Sequence, residues 1–179
     1  MDNPTAVETQ VMERVVRWID AGEPSIAGLS TAPGATLRCP SASQRHGDKV
    51  LAVFDDAARK LQFLSELIDI PEVLRAVSDL DDFYTNNRLV SWCLTSGCVY
   101  WQGACVLGHI VSQVPVAVRP TATECSVTKT CRWHRENGEQ VCAPCSGLRT
   151  LPITIRTPLS VAKPEERINA VQASVVDSC

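Results

Sequence analysis

The sequence has few of the residues that enzymes use for acid–base chemistry. It contains only three histidines among 179 residues, which leaves little capacity for general-base catalysis. It also lacks the G-x-S-x-G, P-loop, G-x-G-x-x-G and H-E-x-x-H motifs. The paired carboxylates Asp55-Asp56 and Asp81-Asp82 are more simply helix caps or solvated faces. A hydrolytic enzyme is therefore the weakest functional interpretation, and no catalytic residue is assigned.

Long apolar runs and a basic leader are missing as well. No window reaches the roughly 18 apolar residues of a membrane span. The first residues, MDNPTAVETQVMERVV, are acidic and amphipathic, unlike a secretory signal. We therefore expect no membrane partner and a cytoplasmic location, where reducing conditions disfavour disulfides. The odd count of nine cysteines points the same way, since one would stay unpaired.

Cysteine, by contrast, is abundant and clustered. Seven of the nine cysteines lie between Cys93 and Cys145 and fall into two bursts, whereas Cys39 and Cys179 are isolated. A single cysteine packs well as a small apolar residue, but seven at such short spacings are hard to explain by packing. The pattern indicates a metal or iron–sulfur protein.

The second burst has the spacing of a closed metal site. Cys142 and Cys145 form a C-x-x-C whose turn aims two thiolates at one ion, and Cys125 and Cys131 form the opposite jaw. Four thiolates in this arrangement would hold Zn²⁺ tetrahedrally. His134 complicates the assignment, because it would replace Cys131 or Cys125 as a ligand or else face solvent. The predicted ligand set is thus Cys125, Cys131, Cys142 and Cys145, and His134 is a fifth candidate whose role as a ligand is undecided.

The first burst is less specific. Cys98 and Cys105 are too far apart on one continuous helix to share an ion, so a shared site requires a break at Gly103 or between Ser96 and Gly97. Three alternatives remain open. The cysteines of this burst form a second closed site with His109, pack in the core, or supply Cys98 and Cys105 to an iron–sulfur cluster shared with the second burst. The alternative cofactor to Zn²⁺ is therefore a 4Fe-4S cluster.

Hydrophobic periodicity predicts a mainly α fold. Residues 5–21 and 48–68 read as amphipathic helices, and residues 69–78 as a short helix that begins at Asp69 with Pro71 in its first turn. Residues 79–87 read as a turn, and 89–114 as a buried helix or two short ones. Short β-like runs are expected at residues 116–118 and 151–155. This pattern predicts a helical region over residues 1–90 with a loop at 22–47, a loop-rich metal or Fe–S module over 91–157, and a tail over 158–179.

The charge pattern gives only weak information about partners. A net charge of −3 provides no general reason to expect nucleic acid. The cysteine-rich segment is nevertheless mildly basic, and Lys129, Arg132, Arg135 and Arg149 are candidate contacts to phosphate or to an acidic protein. A protein partner is the first expectation, with nucleic acid as a possibility.

Two short stretches resemble known cysteine-rich proteins. The runs CVYWQGACVLG and CSVTKTCRWHRENGEQVCAPCSGLRT resemble small uncharacterised bacterial proteins with C-x5-C-R-W followed by C-x-x-C. A partial resemblance links Cys125, His134, Gly138-Glu139 and the C-x-x-C to actinobacterial and phage zinc-finger-like motifs. The first resemblance implies Cys131 as a ligand and the second implies His134, and neither implies an activity.

The sequence therefore predicts a metal-binding regulatory or interaction protein. In this interpretation a cysteine-rich site staples a small module that contacts protein or nucleic acid. The alternative is an iron–sulfur protein that senses redox state or oxygen, or carries electrons.

Overall fold

A four-stranded antiparallel sheet separates two groups of helices in this protein. The structure, a computed structural model, describes residues 5–21, 37–43, 47–116 and 125–149. The strands are β1 (Arg38–Cys39), β2 (Lys49–Asp55), β3 (Lys60–Asp69) and β4 (Asn87–Trp92), in the order β1-β4-β2-β3. The α-helices are α1 (Ala6–Asp20), α2 (Ile70–Leu74), α3 (Leu80–Asn86), α4 (Val106–Ser112), α5 (Arg132–Asn137) and α6 (Cys142–Ser146).

The predicted mainly α fold is wrong, because residues 48–68 form a β-hairpin and not a helix. The apolar positions of this stretch match a helical period, but Val50 to Phe54 also form a nearly continuous apolar run. Such a run suits a strand that is covered on both faces. Strand β2 lies between β3 and β4, and Val50 and Leu51 pack into different cores on its two faces. Burial on both faces therefore outweighs the helical period.

The turn of the hairpin is made by residues that the helical interpretation treats as helix formers. Asp55 pairs with Lys60 to close the hairpin, and its carboxylate accepts a hydrogen bond from the backbone N–H of Ala58 at 3.0 Å. Arg59 has φ of 52°, a left-handed conformation that ends the turn. The hydrogen bond to the Asp55 carboxylate thus stabilises a turn at the point where the helical interpretation expects the helix to continue.

A second error lies at the start of the apolar stretch 89–114. Residues 87–92 form strand β4, which pairs with β2 on one side and β1 on the other. Leu89 and Val90 pack into opposite cores, as alternation along a strand requires. The expected short helix within this stretch is present as α4. The expected β-like runs 116–118 and 151–155, and the tail 158–179, lie wholly or mostly outside the described residues.

The predicted N-terminal helix is confirmed as α1, with Val11, Val15 and Trp18 buried on one face. Its start carries a capping box, in which the backbone N–H of Thr5 donates to Glu8 and that of Glu8 donates to the Thr5 hydroxyl oxygen. The Thr5 hydroxyl also donates to the carbonyl of Gly147 at 2.7 Å. Arg149 forms a buried ion pair with Glu8 at 3.2 Å. The first helix is therefore fastened to the end of the cysteine-rich segment.

The two short helices after the hairpin begin at aspartates. A helix at residues 69–78 is confirmed as the shorter α2, with Asp69 at its N-cap, although the Asp69 side chain makes no cap hydrogen bond and pairs with Lys49 at 2.5 Å. Residues 80–86, expected as a turn, form α3 because the Asp79 carboxylate accepts the N–H groups of Asp81 and Asp82 at 3.0 Å. Both helices cover the smaller core, around Val50, Ile70, Phe83 and Leu89.

The larger core joins the N-terminal helix, the sheet and the cysteine-rich segment. Its buried members include Val11 from α1, Leu51 from β2, Leu107 from α4 and Trp133 from α5. Cys131 and Cys145 are buried in the same cluster. The division of the chain at residue 90 stays a prediction, but in the described residues one core lies on both sides of it. No helix in the described ranges is long and apolar enough to cross a membrane.

Gly108 allows α4 and α5 to approach closely, and we expect Gly108→Ala to destabilise the protein. A Cβ at this position would lie 2.6 Å from Cδ1 of Trp133, whose side chain is 1% exposed. The free energy of unfolding should fall by about 1–3 kcal/mol, measured by urea denaturation. Gly97→Ala is the control, since its Cβ would meet only Leu94 at 3.7 Å. Equal stability of the two variants would contradict the packing described here.

Candidate metal centre

The four cysteines of the second burst approach one another from three local segments. We call Cys125, Cys131, Cys142 and Cys145 the C-terminal quartet. Cys125 leads into the 3₁₀ turn Thr128–Thr130, Cys131 immediately precedes α5, and Cys142 and Cys145 lie one turn apart on α6. The turn Glu139–Val141, which follows Gly138 at φ 73°, reverses the chain between α5 and α6. The four cysteines thus lie on short segments that are close along the chain, and their role as the two jaws of a metal site stays a prediction.

Burial, with smaller contributions from one another's charges, raises the pKa values of the cysteines in the C-terminal quartet. Burial raises the pKa of Cys131 well above its ordinary value, and the charges of Cys145 and Cys125 raise it further. Burial also raises the pKa of Cys142 to about 12, again with contributions from Cys145 and Cys125. The thiols are therefore protonated without an ion, and a bound metal would have to displace those protons.

Backbone N–H groups favour the thiolate form of two of these cysteines. Burial raises the pKa of Cys125, and the N–H of Val127 opposes that shift. At Cys131 the backbone of His134 and Trp133, in the first turn of α5, opposes the shift more weakly, since the Cys131 side chain makes no cap hydrogen bond there. Hydrogen bonds to sulfur of this kind are a usual feature of metal–thiolate sites, because they stabilise the negative sulfur.

Arg88 adds a buried positive charge beside the C-terminal quartet. Its side chain is 0% exposed, and Nη2 lies 3.9 Å from the sulfur of Cys145. The other guanidinium nitrogens donate to the carbonyls of Pro40, Leu148 and Arg149. No carboxylate pairs with Arg88 in the part of the chain that the structure describes. Because an uncompensated buried charge is costly, the natural counter-charge is the thiolate group itself. The Arg88 charge lowers the pKa of both Cys145 and Cys125, against the larger effect of burial.

The side chains as they lie do not yet form a ligand shell. No group of three or more His, Cys, Asp or Glu residues within the described ranges is arranged to hold a metal ion. All eight cysteines in those ranges are free thiols. Neutral thiols do not attract one another, and a change of χ1 rotamer re-aims a cysteine sulfur without moving the backbone. The donor types and their burial fit a thiophilic ion such as Zn²⁺, and closure of the shell would require such rotations.

The two histidines proposed near the cysteines have different surroundings. His134 lies on α5, three residues after Cys131, and is half-buried. Nε2 of His109 lies 2.7 Å from Nε2 of Gln113, which is the next residue one turn along. His109 is thus engaged with a side chain on the exposed side of its helix.

Cys105, another candidate of the first burst, accepts a hydrogen bond from the backbone N–H of Gly108 at 3.4 Å.

Cys98 and Cys105 interact with a different pair of cysteines. The charges of Cys98 and Cys93 raise the pKa of Cys105 beyond the effect of burial, to about 12. For Cys39, burial is again the main cause of a strongly raised pKa, with contributions from Cys105, Cys93 and Cys98. We call Cys39, Cys93, Cys98 and Cys105 the upstream quartet. The electrostatic contributions to these pKa values thus divide the described cysteines into two sets.

Two of the four basic residues suggested as phosphate contacts are used inside the protein. Arg132 is 1% exposed and pairs with Glu136 at 3.0 Å, while Arg149 is 9% exposed and pairs with Glu8. Burial acts to lower the pKa of Arg132, but Glu136 and Cys93 together raise it above its ordinary value. Lys129 and Arg135 are exposed.

Sequence reasoning missed Cys39 and Arg88. Cys39 stands alone in a stretch without periodicity, and its neighbours are more than fifty residues away along the chain. Arg88 follows the polar run 79–87 and resembles a surface charge. The one available signal was the apolar β-forming pair Leu89-Val90 immediately after it, which suits a buried strand.

Comparison with known protein families found no matching family, and comparisons with curated proteins and with solved structures found no match.

Proposed function

We propose that this is a zinc-binding interaction protein, in which the C-terminal quartet holds one Zn²⁺ that stabilises the fold. The observation that carries the proposal is the fully buried guanidinium of Arg88, 3.9 Å from the Cys145 sulfur and without a carboxylate among its described contacts. A four-thiolate zinc site carries a net negative charge, which would compensate the guanidinium in the protein interior.

The role of the metal in this proposal is structural. Zn²⁺ bound by four thiolates has no redox chemistry and no open position, and it contributes its binding free energy to folding. The four cysteines lie on three short segments that pack into the larger core. Each of these segments has at most six helical residues in a row, and helices this short have little stability on their own. An ion that links them would therefore supply much of the module's stability.

In this proposal the interaction partner is a protein. Arg132 and Arg149 are buried in ion pairs. Of the four candidate phosphate contacts, the exposed ones are Lys129 and Arg135. Exposed apolar side chains include Leu80, Trp92 and Leu94, which are 52%, 49% and 40% exposed. Apolar surface of this kind suits contact with protein better than contact with a phosphate backbone.

The experiment that tests the metal is an anaerobic purification with a visible spectrum and elemental analysis of one sample. We expect a colourless protein that contains zinc. A brown protein with iron and labile sulfide would replace zinc by an iron–sulfur cluster, the alternative that the cysteine count also fits. Absence of both metals would make the cysteines core residues and overturn the proposal.

Nucleic-acid binding is tested separately. Titration of the full chain into labelled single-stranded and duplex DNA or RNA at low salt should give a flat response. Binding that weakens steeply with added salt would show phosphate contacts and contradict the preference for a protein partner.

A further inference from the structure

The smaller core has thinner cover than the larger one. Its buried members are Ala42, Val50, Ile70, Phe83 and Leu89, and the helices that cover them in the described residues are α2 and α3, of five and seven residues. Five further apolar side chains that pack against this core are half-buried. Apolar surface on this side of the sheet therefore stays within reach of solvent.

Ile68 and Leu80 lie on the side of the sheet that carries the smaller core, and they are 39% and 52% exposed. Ile68 of β3 pairs with Val50 of β2, which is buried in this core. Directly opposed residues of an antiparallel pair point to the same side of a sheet, so Ile68 faces the same way as Val50. Leu80 lies one turn before Phe83 on α3 and therefore projects from the helix face that packs on the core.

Val53 points to the same side, and it is 41% exposed. It pairs with Asn87 of β4, whose side-chain Nδ2 donates to the carbonyl of Phe83 in α3 at 2.7 Å. The Asn87 side chain therefore points toward α3, and the opposed Val53 points the same way. We call Val53, Ile68 and Leu80 the outer apolar face. Single exposed apolar residues are ordinary, but several on one side of a sheet, bordered by polar residues, are typical of a contact surface for protein.

Carboxylates border the outer apolar face. Between residues 70 and 86 the chain has four acidic residues, Glu72, Asp79, Asp81 and Asp82, against one basic residue, Arg75. All four carboxylates are exposed, and two of them flank the leucine of the outer apolar face directly in the sequence. In the part of the chain that the structure describes, no basic side chain forms an ion pair with any of the four. Their negative charge is therefore available to a partner.

We propose that the outer apolar face binds a short segment of another protein that carries lysine or arginine beside apolar residues. The apolar side chains of that segment would cover Val53, Ile68 and Leu80, and its basic side chains would pair with the bordering carboxylates. The same carboxylates repel the phosphates of nucleic acid and of anionic lipid. This assignment rests on the proposed function for the partner's being a protein, and it uses none of the cysteines.

The test is fluorescence anisotropy of a labelled synthetic peptide that repeats Leu-Lys-Lys-Leu, titrated with the full chain. A peptide that repeats Leu-Glu-Glu-Leu has the same apolar pattern with the opposite charge and is the matched control. We expect the lysine peptide to bind, less tightly as salt is added because the ionic contacts are exposed, and the glutamate peptide not to bind. Amide hydrogen exchange of the unaltered chain should slow at α2 and α3 when the lysine peptide is bound.

Variants separate the apolar from the ionic part of the surface. Leu80→Ser should weaken binding of the lysine peptide by about tenfold, because the exposed half of the leucine is buried in the complex. The double change Glu72→Gln with Asp81→Asn should weaken it by about threefold and reduce its salt dependence. Leu94→Ser alters a leucine that is 40% exposed beyond the end of β4, and Asp20→Asn alters an exposed carboxylate on α1. Both are controls and should bind the peptide as the unaltered chain does.

Equal binding of the two peptides, an equal loss in Leu94→Ser, or unchanged exchange at α2 and α3 would overturn the assignment. Self-association in sedimentation that disappears in Leu80→Ser would give the face to a second copy of the chain and overturn a foreign segment. If a variant does not fold, the two peptides and the exchange data on the unaltered chain still decide. All variants should keep the metal content of the unaltered protein, so failure here leaves the metal site standing. Nucleic-acid binding would overturn the partner class in the proposed function instead.

Discussion

Cys145→Ser is expected to abolish zinc binding at the C-terminal quartet and to unfold the described part of the chain as one unit. Cys145 is 7% exposed and belongs to the same core as α1 and the sheet. Apparent binding free energies of structural zinc are about 10–16 kcal/mol in zinc fingers, whereas whole domains are stable by about 5–15 kcal/mol. The binding free energy lost with this ion would therefore match or exceed the free energy of unfolding of the fold.

Unfolding should extend to the N-terminal helix because two contacts join it to the quartet. Thr5 donates to the carbonyl of Gly147, two residues after Cys145, and Glu8 pairs with Arg149. Far-UV circular dichroism and tryptophan fluorescence of the variant should both report loss of structure, together with loss of zinc. Ser146→Ala, which removes only the hydrogen bond of Ser146 to the Ala143 carbonyl at 2.7 Å, is the matched control and should stay folded. A folded Cys145→Ser that keeps its full metal content would show that the ligand is misassigned.

Arg88→Met should weaken both the fold and the metal site. The methionine fills part of the space but removes donors to the carbonyls of Pro40, Leu148 and Arg149 and leaves the thiolates of the quartet without their buried counter-charge. Removal of one partner from a buried charged group costs about 3–5 kcal/mol. Loss of a residue that supports a metal ligand typically lowers metal affinity by about 10–100-fold.

The Arg88 prediction is measured by urea denaturation and by competition with a calibrated zinc chelator. Arg88→Lys keeps the charge but loses the planar fork, so its zinc affinity should lie between those of Arg88→Met and the unaltered protein. Arg75→Met is the control, since Arg75 is exposed, and its stability should change by less than about 0.5 kcal/mol. If Arg88→Met binds zinc as tightly as the unaltered protein, the guanidinium is not the counter-charge of the site.

The parts of the fold that depend on local sequence were predictable. The stripe Val11, Val15 and Trp18 predicts α1, and Asp69 followed by Pro71 predicts the start of α2. The Asp55 to Lys60 hairpin was not, because its apolar residues satisfy both a helical period and a central strand. The strand is favoured because β4 pairs with β2 along its edge. A helix at residues 48–68 could not form these hydrogen bonds with β4.

The candidate site divides in the same way. The C-terminal quartet could be proposed from the sequence because its members lie within one short segment with a C-x-x-C, although its side chains do not form a metal-holding group as they lie. Cys39 and Arg88 were not predictable, because Cys39 comes near Cys93 only through the pairing of β1 with β4, and Arg88 approaches Cys145 across a separation of 57 residues. Sequence separation hides a neighbour when the contact is made by a sheet and not by a turn.

The most direct test of the account is X-ray absorption at the zinc edge of the full chain as purified. Four thiolates should give a first shell of sulfur alone, at about 2.3 Å. A shell with nitrogen at about 2.0 Å would place a histidine such as His134 among the ligands. A shell of oxygen, or a sample without zinc, would contradict a thiolate zinc centre altogether.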